Sequence, residues 1–120
     1  MNPSGGSPNN AGSQYSERRT VPRFSFIAAA EIVEPVSGVH ISGRISEISR
    51  KGCYVDLLNT LPTGTVIQVQ ISRDQGAFAS SGKIIYTQEG MGMGVAFVDV
   101  PAEQLKILDS WLAEISAAGH

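Results

Sequence analysis

Three arginines lie close together near the start of the chain, in the segment Glu17–Arg23. They are Arg18, Arg19 and Arg23. A guanidinium group can bind a phosphate through two parallel hydrogen bonds and can stack on the flat face of a base. The cluster is therefore either a clamp for an anion or a solvated basic rim at the entrance to a folded domain.

A second polar group lies at the corner Glu47–Gly52. Glu47 supplies a carboxylate that can accept hydrogen bonds from the N1 and N2 donors of a guanine. Ser49 can bond a phosphate or a base edge, and Gly52 lets the backbone turn sharply or approach a ligand closely. Taken alone, the segment is an ordinary polar turn with two cations, because such residues are common in turns.

The sequence offers little support for catalysis or metal binding. His40 and His120 have no neighbouring residues that define a catalytic triad, and no His, Cys or carboxylate pair has the spacing of metal ligands. The single cysteine, Cys53, cannot form a disulfide within the chain and is expected to pack in the core. We therefore expect neither an enzyme nor a metal site.

A glycine-rich run, Gly90–Gly94, superficially resembles a phosphate-binding loop. Such a loop requires a strand before it and a helix after it, whereas here the strand-like segment Val95–Val98 follows. The glycines are therefore assigned to a hairpin or to a strand that another backbone approaches closely.

Six short runs of β-branched and aromatic residues, separated by turn residues, must position these groups. They predict strands over residues 24–33, 39–49, 53–57, 65–71, 77–86 and 91–98. Apolar and polar residues alternate from Val39 to Ile45, but Ile48 occupies a position at which this alternation would place a polar residue. This irregularity predicts a bulge or a strand end near Glu47. The pattern is that of an antiparallel sandwich or a small barrel.

The C-terminal part of the chain predicts a single helix after Pro101. Apolar residues recur there at spacings of three and four, namely Leu105, Leu108, Trp111, Leu112 and Ile115. We expect this stripe to pack against the strands and to cover one opening of a barrel. The alternative is that it forms a surface for a partner.

Composition and charge limit the class of protein. The chain has 120 residues, 42% of them hydrophobic and 17% charged, which fits one globular domain. Its net charge of -2 argues against electrostatic binding of a nucleic-acid polymer, although positive charge is concentrated in residues 17–51. Residues 1–16 are rich in Gly, Pro, Ser and Asn and predict a flexible leader before a domain over 17–118. Without an apolar run long enough to span a membrane, and without a secretory signal, we expect a cytoplasmic protein with no membrane insertion.

Together, the two polar motifs resemble those of the PilZ family. Arg19 and Arg23 form an RxxxR motif, and Glu47, Ser49 and Gly52 match the family's D/N-x-S-x-x-G motif except for glutamate at its first position. The segment Met93–Phe97 also resembles the family's closing strand. The resemblance implies a six-stranded antiparallel β-barrel of the split-barrel type with one C-terminal helix and a flexible N-terminal arm. It also implies a bacterial receptor domain for cyclic di-GMP.

The resemblance also assigns roles to the individual residues. It implies that Arg19 and Arg23 clamp the ligand's phosphates and meet guanine edges, and that Ser49 and Gly52 form the opposing wall. In the family, an arginine at the position of Arg18 is associated with binding a stacked pair of ligand molecules. Glu47 keeps the carboxylate but moves it by about one bond length.

Three hypotheses follow from these motifs. The first is a cyclic di-GMP receptor that orders its N-terminal arm when the ligand binds and signals to a protein partner. The second is a PilZ-like interaction module with weak or no cyclic di-GMP binding, suggested by Glu47. The third is a small single-stranded nucleic-acid binder with a basic arm, which the net negative charge disfavours.

Overall fold

The alternating apolar residues form six antiparallel strands in the computed structural model, which describes residues 21–74 and 76–118. The strands are β1 (Arg23–Glu34), β2 (Val39–Ser49), β3 (Gly52–Asp56), β4 (Val66–Arg73), β5 (Gly76–Gln88) and β6 (Gly92–Val98). The predicted leader, Arg18 and Arg19 lie outside the described residues.

The sheet closes on itself in the order β1-β2-β3-β6-β5-β4, with β4 pairing back to β1. This closing pair decides between the two predicted architectures in favour of the barrel. All six strands were predicted, with ends that differ from the observed ones by a few residues. A closed barrel leaves no unpaired sheet edge.

Apolar side chains on alternate strand positions fill the barrel. Ile32, Ile45, Ile67, Ile71 and Phe78 are among those with no exposed surface. Removing such side chains from water is the main contribution to the stability of the fold. Cys53 is also buried in this core, as predicted, and burial raises the pKa of its thiol to about 12.

Strand β2 carries the irregularity that the sequence predicts near Glu47. Its pairing with β3 shifts register between Ile45 and Glu47. The shift allows Ile45 and Ile48, which are three residues apart, both to point into the core. The predicted bulge is therefore confirmed, and it sets the direction of the side chains at the end of β2.

The helix α1 (Ala102–Ala118) packs against one end of the barrel. Trp111 is 7% exposed, and its ring centroid lies 5.6 Å from that of Phe26 in β1 and 6.4 Å from that of Phe78 in β5. Both phenylalanines lie near the first residues of their strands. The apolar stripe therefore covers one end of the barrel, as predicted. Within the described residues, no helix is both long and apolar enough to cross a bilayer.

Candidate ligand-binding site

A pocket of about 170 Å³ lies on the barrel surface where β2 turns into β3. It extends from this corner across the outer face of β3, β6 and β5. Four residues that the sequence analysis selected line it, namely Arg23, Glu47, Ser49 and Gly52. The fold therefore brings together the described residues of both motifs, which are more than twenty positions apart in the chain.

Arg23 and Glu47 face each other at the edge of the pocket. Strand pairing places Arg23 opposite Ser49, two residues beyond Glu47, so that the two side chains meet diagonally across β1 and β2. The Arg23 Nη1 atom lies 3.7 Å from Glu47 Oε1, and the two side chains are 62% and 44% exposed. An exposed ion pair with this separation contributes little to stability, so a ligand can replace either partner at low cost.

The Ser49 hydroxyl holds the corner together. Its oxygen accepts hydrogen bonds from the backbone N–H groups of Lys51 at 3.1 Å and Gly52 at 3.2 Å. Ser49 is 6% exposed, so these contacts are largely shielded from water. Ser49 thus fixes the path of the turn through contacts within the protein.

Gly52 occupies a position where the chain has no room for a side chain. A Cβ atom at this residue would lie 2.1 Å from the carbonyl oxygen of Val95 in β6. The backbones of β3 and β6 therefore approach each other closely at the floor of the pocket. Glycine is required here by this contact, and the shape of the floor depends on it.

Arg50 leaves the pocket and contacts the helix. Its Nε atom donates a hydrogen bond to Asp109 Oδ1 in α1 at 2.9 Å. This hydrogen bond and the negative charge of Asp109 raise the pKa of the Arg50 guanidinium. Lys51, by contrast, lines the pocket, and its carbonyl oxygen accepts a hydrogen bond from Phe97 N. The corner is thus attached to both α1 and β6.

No sequence motif indicated the apolar residues of the pocket. Tyr54 of β3 lines it, together with Ile85 and Tyr86 of β5. A register shift between Ile84 and Tyr86 turns both Ile85 and Tyr86 outward. The adjacent apolar residues Ile84 and Ile85 break the alternation of the strand, and this signal could have indicated the bulge.

The glycine-rich run belongs to a turn and a strand, as predicted. Gly90 has φ +78 in the turn after β5, and β6 begins at Gly92. Gly92 and Gly94 lie directly beneath the rings of Tyr54 and Tyr86. In residues 21–74 and 76–118, no three His, Cys, Asp or Glu side chains are grouped so that they could hold a metal ion.

This architecture is a small closed β-barrel with a helix over one end and a charged pocket at the β2–β3 corner. The family model for the PilZ domain matches residues 17–114, which is most of the chain. The chain therefore belongs to the PilZ domain family. The comparison with curated proteins finds no match.

Solved structures show the same fold at low sequence identity. The PilZ domain of YcgR from Escherichia coli with c-di-GMP has a TM-score of 0.71 and 15% identity, covering 85% of this chain and 94% of that domain. The inhibitor of motility MotI/DgrA from Bacillus subtilis has a TM-score of 0.70 and 14% identity over 84% of this chain and 52% of its own. The PilZ domain of CeSA from a cellulose-synthesizing bacterium has a TM-score of 0.59 and 17% identity, over 82% of this chain and 99% of that one.

Proposed function

We propose that this chain is a receptor domain for cyclic di-GMP. The observation that carries the proposal is the pocket at the β2–β3 corner, in which Arg23 and Glu47 lie 3.7 Å apart beside Ser49 and Gly52. Membership of the PilZ family supports this choice of ligand, since the similar YcgR domain was solved with c-di-GMP.

The chemistry of the pocket fits a dinucleotide with two phosphates and two guanines. The Arg23 guanidinium offers hydrogen bonds and positive charge to a phosphate, and Arg19 adds a second guanidinium from the preceding segment. The Glu47 carboxylate offers two acceptor oxygens to the N1 and N2 donors of a guanine. Ser49 and Gly52 keep the wall between these groups in place.

The proposed mechanism is an ordering of the N-terminal arm on the barrel. Ligand phosphates neutralise the arginines, and the arm that carries Arg18 and Arg19 then closes over the ligand. The new surface formed by the arm and the barrel is the signal that a partner protein reads. In this proposal, the domain acts in the cytoplasm as an adaptor and catalyses no reaction.

Calorimetric titration with cyclic di-GMP tests the proposal. We expect Arg19→Ala and Arg23→Ala each to weaken binding by about tenfold or more, since each removes a charge-assisted hydrogen bond. Arg44→Ala is the matched control, because Arg44 is also an exposed arginine but is paired with Asp56 outside the pocket. Unchanged affinity in both motif variants would contradict the proposal.

The same titration measures how many ligand molecules bind. If Arg18 supports a stacked pair, the wild-type chain binds two molecules and Arg18→Ala binds one. A stoichiometry of one in both proteins would remove this role from Arg18 and leave the receptor proposal intact.

A second candidate function is a PilZ-like interaction module with weak or no cyclic di-GMP binding. Glu47 favours it, because the family motif has Asp or Asn at this position and the longer side chain reaches Arg23. Under this alternative, the wild-type chain shows no heat of binding, whereas Glu47→Asp gains it. Equal binding by both proteins would exclude the alternative.

A further inference from the structure

Two tyrosines form an aromatic surface beside Arg23 and Glu47, the pair that we call the charged corner. Tyr54 in β3 and Tyr86 in β5 both pair with Gly94 of β6, one from each side. Their ring centroids are 6.1 Å apart and the rings are inclined by 34°. We call this surface, made of Tyr54 and Tyr86 over Gly92 and Gly94, the tyrosine shelf.

The glycines of β6 make the shelf possible. A Cβ atom at Gly94 would overlap the Tyr86 ring. One at Gly92 would meet the Val55 carbonyl oxygen and would also lie 2.7 Å from Tyr54 Cε2. The two rings thus occupy the space that outward side chains of β6 would otherwise fill. They lie against the strand backbone as a consequence, which leaves their outer faces open to a flat ligand.

Further contacts hold the shelf in place. The Tyr54 hydroxyl donates a hydrogen bond to Oε1 of Gln88, the last residue of β5. The bulge at Ile85 directs Tyr86 outward, next to the exposed Ile85 side chain. Ile85 and Tyr86 remain 52% and 42% exposed, which is a large apolar exposure for two adjacent residues of one strand. Bulges commonly redirect side chains next to binding sites.

The shelf and the charged corner belong to one continuous pocket. Arg23, Glu47, Tyr54, Ile85 and Tyr86 all line it, and strand pairing places Tyr54 directly opposite Glu47. A purine ring needs hydrogen-bonding partners at its edge and a flat apolar surface at its face. The pocket presents both kinds of group side by side.

We propose that the tyrosine shelf, and Tyr86 in particular, binds the face of a purine base of the dinucleotide whose edge and phosphates meet the charged corner. This inference rests on the proposed receptor function and adds a specific contact to it. Tyr86 determines affinity through its ring, whereas its hydroxyl contributes little. Because stacking does not distinguish one base from another, Glu47 remains the residue that selects guanine.

Titration of three variants with cyclic di-GMP tests the shelf. We expect Tyr86→Ala to weaken binding by about tenfold, because base–aromatic stacking accounts for a factor of this order. Tyr86→Phe keeps the ring and should bind within about twofold of the wild type. Met91→Ala is the control, since Met91 is an exposed apolar residue outside the pocket and its removal should leave binding unchanged.

The possible results separate the shelf from the receptor function. Wild-type affinity in Tyr86→Ala, with binding lost in Arg23→Ala, would overturn the shelf and leave the receptor function standing. A wild-type chain that binds no cyclic di-GMP would overturn both. NMR titration of the wild type provides a test independent of any variant, because a stacked base shifts the ring-proton signals of Tyr86. Unshifted signals at saturating ligand would also overturn the inference.

Discussion

At the scale of single residues, the β2–β3 corner depends on two small residues with different tasks. Ser49 accepts hydrogen bonds from the N–H groups that the turn leaves free, and Gly52 gives β6 room to approach β3. Both tasks are structural, and both fix the wall that faces Arg23 and Glu47. Ser49 and Gly52, which were selected as candidate ligand-binding residues, are therefore also needed for the fold.

Gly52→Ala is predicted to destabilise the protein by about 1–3 kcal/mol, a range typical of overpacking. The added Cβ atom would meet the Val95 carbonyl oxygen, which belongs to the backbone of β6 and cannot rotate away. Urea unfolding of the wild type and the variant measures the difference in free energy.

Gly76→Ala provides the matched control for this measurement. A Cβ atom at Gly76 would lie 3.8 Å from its nearest neighbours, which is ordinary van der Waals contact. We expect this variant to change stability far less than Gly52→Ala does. If the two variants unfold at the same urea concentration, the close approach of β3 and β6 does not explain the glycine at position 52.

At the scale of elements, two different contacts attach α1 to the rest of the molecule. Trp111 is buried between Phe26 and Phe78 at the end of the barrel. The Arg50–Asp109 ion pair, by contrast, joins exposed side chains of the β2–β3 corner and the helix. The first contact buries apolar area, and the second places the helix next to the candidate site.

Removing each of these contacts by substitution is predicted to lower the stability of the protein by different amounts. Trp111→Ala should cost roughly 3–5 kcal/mol, because it removes a large buried side chain and leaves a cavity. Asp109→Asn should shift the unfolding midpoint only slightly, because water and salt screen an exposed ion pair. Thermal unfolding followed by circular dichroism compares the variants. A larger loss in Asp109→Asn than in Trp111→Ala would refute this assignment of roles.

The strands could be predicted from sequence because each one alternates or carries a local sign of its irregularity. Ile48, at a position where the alternation would place a polar residue, predicted the bulge in β2, and the apolar stripe through Leu108 and Trp111 predicted the helix. The tyrosine shelf could not be predicted in this way. It depends on β6 lying between β3 and β5 in the barrel. The sequence of a single strand does not show which strands will be its neighbours.

The candidate site, too, could be predicted only in part from the sequence. Arg23, Glu47, Ser49 and Gly52 were selected from their motifs, and the pocket brings them together. Neither motif was sufficient alone, and the two together were selected because they resemble those of the PilZ family. Their described residues come together because antiparallel pairing of β1 and β2 places Arg23 opposite Ser49. Tyr54 and Tyr86, more than thirty residues apart, carry no motif, so only the three-dimensional arrangement connects them to the site.

At the scale of the whole molecule, the sequence distributes charge unevenly. The chain has a net charge of -2, and its basic residues are concentrated before position 52. A net negative charge does not attract an anionic dinucleotide to the protein as a whole. In the proposed receptor function, the attraction therefore has to come from local groups such as Arg23, which lines the pocket. In the proposed mechanism, the ligand neutralises this local charge and fixes the arm on the barrel.

Limited proteolysis with trypsin tests this ordering in the intact chain. Trypsin cleaves after arginine, so cleavage after Arg18 and Arg19 reports on the segment that the proposed mechanism brings to the site. We predict that saturating cyclic di-GMP slows cleavage after these residues at least severalfold, because a bound arm cannot adopt the extended form that a protease requires. Mass spectrometry of the released N-terminal peptides measures the rate. GMP at the same concentration is the control for a general effect of nucleotide and should give no protection. Equal cleavage rates with and without cyclic di-GMP, under conditions where calorimetry shows saturation, would mean that binding leaves the arm free and that the signal is transmitted through the barrel or α1 instead.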